Sequence, residues 1–178
     1  MVSEDPKSFE ARLRRLARSI ETLAEKDERA LRRTREIAEL RRRAASEIFS
    51  VCQGFVDALN RMLSGVAVAL DPPEFRPEYF HEDRSNLIQM NFRGRILQVE
   101  FAATPEPLST EDFRIPYTLG GSVRAFNQAL LEKNLVEEQL LFYTVEPRRT
   151  MWRYFDVRTY RSGEFGRDYL IGLMDRLV

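Results

Sequence analysis

One cysteine, one histidine and three lysines among 178 residues remove much chemistry before any motif is sought. A lone Cys52 allows neither an internal disulfide nor a thiolate metal cluster within one chain. Any Ser–His–Asp or Cys–His mechanism would have to run through His81. A central catalytic lysine would have to be Lys133, because Lys7 and Lys26 belong to the amino-terminal region; "LLEKNL" reads as an exposed helix position. No run approaches the roughly 18 apolar residues of a membrane-spanning helix. The opening "MVSEDPKSFEARL" lacks the basic-then-apolar order of a signal peptide, so the expected location is the cytoplasm.

Phosphate-binding signatures are missing too. Neither G-x-x-x-x-G-K-[ST] nor G-x-G-x-x-G occurs, and "TLGGSVRAFN" shares only the pair Gly120-Gly121 with such loops, so it reads as a turn. "YFHEDRSN" puts Glu82 and Asp83 beside His81, but residues adjacent in sequence do not face one way, and no recognised ligand spacing follows. The expectation is therefore no catalytic residue, no metal and no cofactor. A pocket near His81 or the 141–160 hairpin keeps an enzyme as a third alternative.

What is present is charge, arginine and a long helical pattern. Net charge is zero, yet residues 1–64 hold 14 basic and 11 acidic side chains (+3) and residues 65–178 hold 14 and 17 (−3). Between Lys7 and Leu63 there is one glycine, Gly54, and no proline. Asp5 and Pro6 suit a helix start, and Ser64-Gly65 a helix end. Alternating steps of four and three from Phe9 reach Leu13, Leu16, Ile20 and Leu23, then pass through Asp27, Ala30, Thr34, Ile37 and Arg41 to Ala44, Ile48, Val51, Phe55, Ala58 and Met62. That is a heptad seam with a weak middle.

Fifty-seven helical residues at about 1.5 Å each span roughly 86 Å, far more than a compact domain of the remaining chain can cover. Either a second chain covers the seam, or the helix breaks near "AEKDERA" and folds back, with Asp27 capping a second helix. Self-association, as a dimer, is the expectation. Arg41 on the seam would weaken a tight dimer at that level. Arg29, Arg32, Arg33, Arg35, Arg41, Arg42 and Arg43 form a basic band able to neutralise phosphates, which supplies a nucleic-acid-binding alternative. The i,i+4 spacings of Arg32 with Glu36 and Arg35 with Glu39 instead describe a solvated face, the preferred reading.

The rest of the chain reads as antiparallel sheet. In "NLIQMNFRGRILQVEFA", a turn at Arg93-Gly94 sets Phe92 opposite Arg95, Met90 opposite Leu97 and Ile88 opposite Val99 on one face. A second hairpin joins "LLFYTVEP" to "TMWRYFDVRTY", with Pro147–Thr150 as the turn and Val145 beside Trp152; it is expected to be covered on both faces. Strand alternation would then place Trp152, Tyr154, Asp156, Arg158 and Tyr160 together, either gripping a helix or forming a ligand platform. Helices are expected from Ser122 and over the amphipathic "FGRDYLIGLMDRLV"; the proline-rich stretches 70–85 and 104–116 read as loops.

The fold class is α+β: a long, coiled-coil-like helix over residues 1–64, then an antiparallel sheet domain with packed helices, one of them carboxy-terminal, over 65–178. The function expected is a non-enzymatic, self-associating adaptor whose sheet domain engages a protein or small ligand. No membrane partner is expected.

Overall fold

The computed structural model describes residues 6–108, 115–128 and 135–178. Helix α1 runs unbroken from Pro6 to Met62, so there is no fold-back at residues 24–30. Nothing there forces a break: between Lys7 and Met62 the only poor helix former of the Gly/Pro kind is Gly54. The helix ends where Gly65 adopts φ +75, and the Asn60 side chain then clamps the exit, donating to the Val68 carbonyl (2.9 Å) and accepting from the Val68 amide (2.8 Å). Asp5, read as the cap of this helix, lies outside the described residues, as does Lys133.

The chain divides into two units, Met1–Glu39 and Leu40–Val178. The later turns of α1 supply core side chains to the second unit. In the first unit the described residues of α1 are solvated nearly all round; Ile37 and Ala38 are half-buried.

The second unit adds seven strands: β1 (Ala69–Asp71), β2 (Asn86–Phe92), β3 (Arg95–Leu108), β4 (Tyr117–Asn127), β5 (Leu135–Val145), β6 (Thr150–Asp156) and β7 (Arg161–Glu164), followed by α2 (Arg167–Asp175). They form one sheet in sequence order, every neighbour antiparallel. The α+β class is thus observed: long helix, seven-stranded antiparallel sheet, carboxy-terminal helix.

The first hairpin has the expected register, with Phe92 opposite Arg95, Met90 opposite Leu97 and Ile88 opposite Val99, and its turn places Arg93 and Gly94 at φ 50 and 85. The second is displaced by two residues: Tyr143, not Val145, faces Trp152. Glu146 and Arg149 exchange backbone hydrogen bonds (3.1 and 3.3 Å), so the turn closes on Pro147-Arg148 rather than on four residues. A shift of two keeps every side chain on its face, which is why the face assignment survives the register error.

Two segments differ more. The helix expected from Ser122 is instead the end of β4, where Val123 and Ala125 alternate into the core opposite Val99 and Leu97; strand pairing on both sides overrides the helical spacing. "TPEP", read as loop, continues β3 to Leu108, which pairs with Tyr117 after a register shift beyond Ala103. Gly120-Gly121 is mid-strand, neither a turn nor an anion cradle. A Cβ at Gly121 would stand 1.9 Å from the Glu100 carbonyl oxygen, so only glycine lets β3 and β4 close there.

One face of the sheet, carrying Met90, Val99, Phe101, Leu119, Leu141 and Trp152, shares a single core with α1 residues Ala44, Ile48, Cys52 and Phe55 and with Leu170 and Leu173 of α2. The opposite face bears only a small cluster among the described residues, built on Tyr117, Phe142 and Phe155. Among the described residues the second hairpin therefore has helices over one face, not both.

Candidate functional site

Trp152 lies in the core, and its indole N–H donates to the Ala44 carbonyl of α1 at 2.7 Å. Its ring meets Phe101 edge-on at 5.1 Å. Tyr154, one step along the same face, stacks on Tyr169 of α2 with centroids 4.1 Å apart and planes 9° apart. Asp156 is buried on that face as well. The alternation stops there, because β6 ends at Asp156. Arg158 and Tyr160 belong to the following turn; Tyr160, at φ 55, is exposed and approaches Phe155, which points the other way. Of the five residues singled out from the sequence, Tyr154, Asp156 and Arg158 come together, whereas Trp152 and Tyr160 stand apart from them.

Those three line a recess of about 320 Å³ at the polar margin of the helix-covered face, with Glu137, Tyr169 and Arg176. Glu137, almost fully buried, accepts from Arg176 Nη1, from Gln139 Nε2 (2.6 Å) and from Arg158 Nη2 (3.5 Å). Gln139 in turn accepts from the Tyr169 hydroxyl at 2.8 Å. Asp156 accepts from the Arg158 amide at 2.9 Å, and this bond, helped by the Thr159 hydroxyl and the Arg158 charge, holds its carboxyl below the usual carboxylate range. Burial first, then the Glu137 charge, pushes the Tyr169 phenol up. Asp156 is thus held ionised, Glu137 is engaged by three donors, and Tyr169 stays a hydrogen-bond donor. Arg158 and Arg176 keep more than half of their side-chain surface exposed at the mouth, beside Arg161. The recess offers donors to a polar or anionic group.

Sequence reasoning missed Glu137, Gln139 and Arg176 here. The signal was a buried acid and amide two apart, which alternation along β5 places on one face.

His81 borders a second recess, of about 430 Å³, walled by Phe75, Tyr79, Ile88 and Phe101. The surrounding loop is fixed by Asn86, whose side chain accepts from the His81 amide (2.8 Å) and donates to the His81 carbonyl (3.0 Å). The imidazole contacts Arg84, at 3.0 Å from Nε2. Glu82 turns away to Arg41, so His81, Glu82 and Asp83 do not converge, and among the described residues no group of three His, Cys, Asp or Glu side chains is placed to hold a metal. Cys52 is buried and its thiol is pushed up to about 12 by desolvation, which makes it inert.

The arginine band is not one surface. Arg29, Arg32, Arg33, Arg35, Arg42 and Arg43 are exposed; Arg29 and Arg32 reach back to Glu25 and Glu28 at 3.6 and 3.8 Å. Arg41 is buried in the second unit. Its guanidinium donates to Thr118 Oγ1 (3.0 Å), Glu82 Oε2 (2.9 Å) and the Thr104 carbonyl. An arginine at a seam position thus has its partners in its own chain.

The first unit has the opposite character. Phe9, Leu13, Leu16, Ile20 and Leu23, the first five seam positions, are each between 52% and 58% exposed. No helix of the described residues is long and apolar enough to cross a membrane. No family model, curated protein or solved structure matches the chain.

Proposed function

We propose that this protein is a non-enzymatic, self-associating adaptor: the amino-terminal part of α1 pairs with a second copy as a coiled coil, and the sheet domain engages a protein or small ligand. The observation that carries the reading is the row of five large apolar side chains, Phe9 to Leu23, solvated at unbroken four-and-three spacing. Burying a leucine-sized side chain contributes about 1.5–3 kcal/mol, so five per chain supply a driving force that isolated exposed residues would not. A ligand of the sheet domain would enter at Tyr154, Asp156 and Arg158, where guanidinium groups ring a recess with a stacked tyrosine pair inside.

Light scattering on the full chain tests the association. The expected mass is twice the 20.9 kDa of one chain, falling to one chain when Leu16 and Ile20 are both changed to glutamate. Both positions are solvated, so the double variant retains its fold. A parent that is monomeric at about 100 µM, far above the micromolar dissociation constant that about 8 kcal/mol provides, ends the proposal.

A further inference from the structure

Resting on that self-association, we infer that two copies pair through α1 in antiparallel orientation. With Leu13 and Ile20 at a and Leu16 and Leu23 at d, Asp27 occupies the next a position. A parallel, in-register pair would press Asp27 against its own copy inside the seam, two like charges facing across a layer that excludes water. Among the described residues Asp27 has no ion-pair partner in its own chain, so nothing there offsets such a meeting.

An antiparallel pair removes the conflict. Layers then match a with d, and the alignment that sets Leu13 against Leu23 of the other copy also sets Leu16 against Ile20 and Asp27 against Phe9, near the positive end of the other helix. Arg12, at g, falls within one turn of that Asp27, the geometry of an interchain ion pair. Residues 12–18 carry four arginines, and residues 21–28 carry four acids and one lysine. Most of these charges, Arg14, Arg15, Arg18, Glu21, Glu25 and Glu28, fall at b, c and f, away from the seam, so it is the Asp27 layer, with Arg12 beside it, that favours the reversed pair.

Spin labels on single cysteines in the full chain decide the orientation, with buried Cys52 silent. Ser8→Cys and Ser19→Cys are both at exposed positions. In the antiparallel pair Ser19 lies beside its copy, at little more than the about 10 Å between helix axes. Ser8 is then separated from its copy by twenty residues of rise, about 30 Å. Pulsed dipolar spectroscopy is expected to give a short distance for S19C and a long one for S8C. Short distances for both mean a parallel coiled coil, which overturns the orientation and leaves self-association standing. A long or absent S19C distance means that α1 is not the interface, which overturns both.

Discussion

Arg41→Met keeps the apolar stem of a side chain that is 11% exposed while deleting the guanidinium that donates to Glu82, the Thr118 hydroxyl and the Thr104 carbonyl. Thr118 is itself 1% exposed, so its lost partner is not replaced by bulk water. Breaking a buried pair by removing one member costs about 3–5 kcal/mol. Glu82 is 37% exposed and regains solvent, which places the expected loss near the lower end, about 3 kcal/mol. For a cooperative unit of this size that is a fall of about 10 °C in Tm. Trp152, the sole tryptophan, sits against Ala44, one turn of α1 from Arg41, and reports the unfolding by fluorescence. Glu82→Gln retains an acceptor and should cost only about 1 kcal/mol, with the double variant close to R41M alone. An R41M protein within 1 kcal/mol of the parent would refute the claim that this guanidinium ties α1 to β3, β4 and the Glu82 loop.

Two other consequences are open to measurement. Gly121→Ala drives a methyl into the Glu100 carbonyl and Phe101 Cα (1.9 and 2.7 Å), both backbone, so about 3 kcal/mol of destabilisation is expected in urea, whereas Gly120→Ala meets the movable Tyr117 ring at 3.3 Å and should cost less; equal midpoints for the two would contradict the close approach. Asp156 has a depressed pKa, so its contribution is present above the ordinary carboxylate value of about 4 and is lost as pH falls through the lower folded value. Asp156→Asn should flatten the acid limb of the stability–pH curve between pH 5 and pH 2, and an unchanged limb would show that the Arg158 amide does not select the ionised form.

Local rules were enough wherever the determinant was local. The Arg93-Gly94 turn, with both residues at positive φ, sets the first hairpin's register without reference to anything distant. The second hairpin has no such marker: Pro147 fits more than one turn length, and only the Glu146–Arg149 hydrogen bonds choose. Gly120-Gly121 was illegible for a different reason, since a glycine pair reads as a turn unless the neighbouring strand that needs the space is known. The recess at Tyr154 was half legible. Alternation placed Tyr154 and Asp156 on one face, but Glu137, Gln139 and Arg176 reach them through strand order and α2 packing, neither of which a single sequence states.

The seam itself shows most clearly what sequence cannot apportion. A single four-and-three spacing runs the length of α1, and from the residues alone its two ends are equivalent. Ala44, Ile48 and Phe55 are covered by the chain's own sheet, while Phe9 to Leu23 are solvated. Between them the spacing passes through Asp27, Thr34 and Arg41, and the arginine takes its partners from the second unit. The polar middle therefore separates turns covered by the chain's own sheet from turns that are solvated. A truncation at Ser64 would remove Ala44, Ile48, Cys52 and Phe55 from the core along with the proposed association surface, so a change of mass there would be indistinguishable from loss of the fold. Substitutions confined to Leu16 and Ile20 separate the two, because among the described residues no core side chain lies before Leu40.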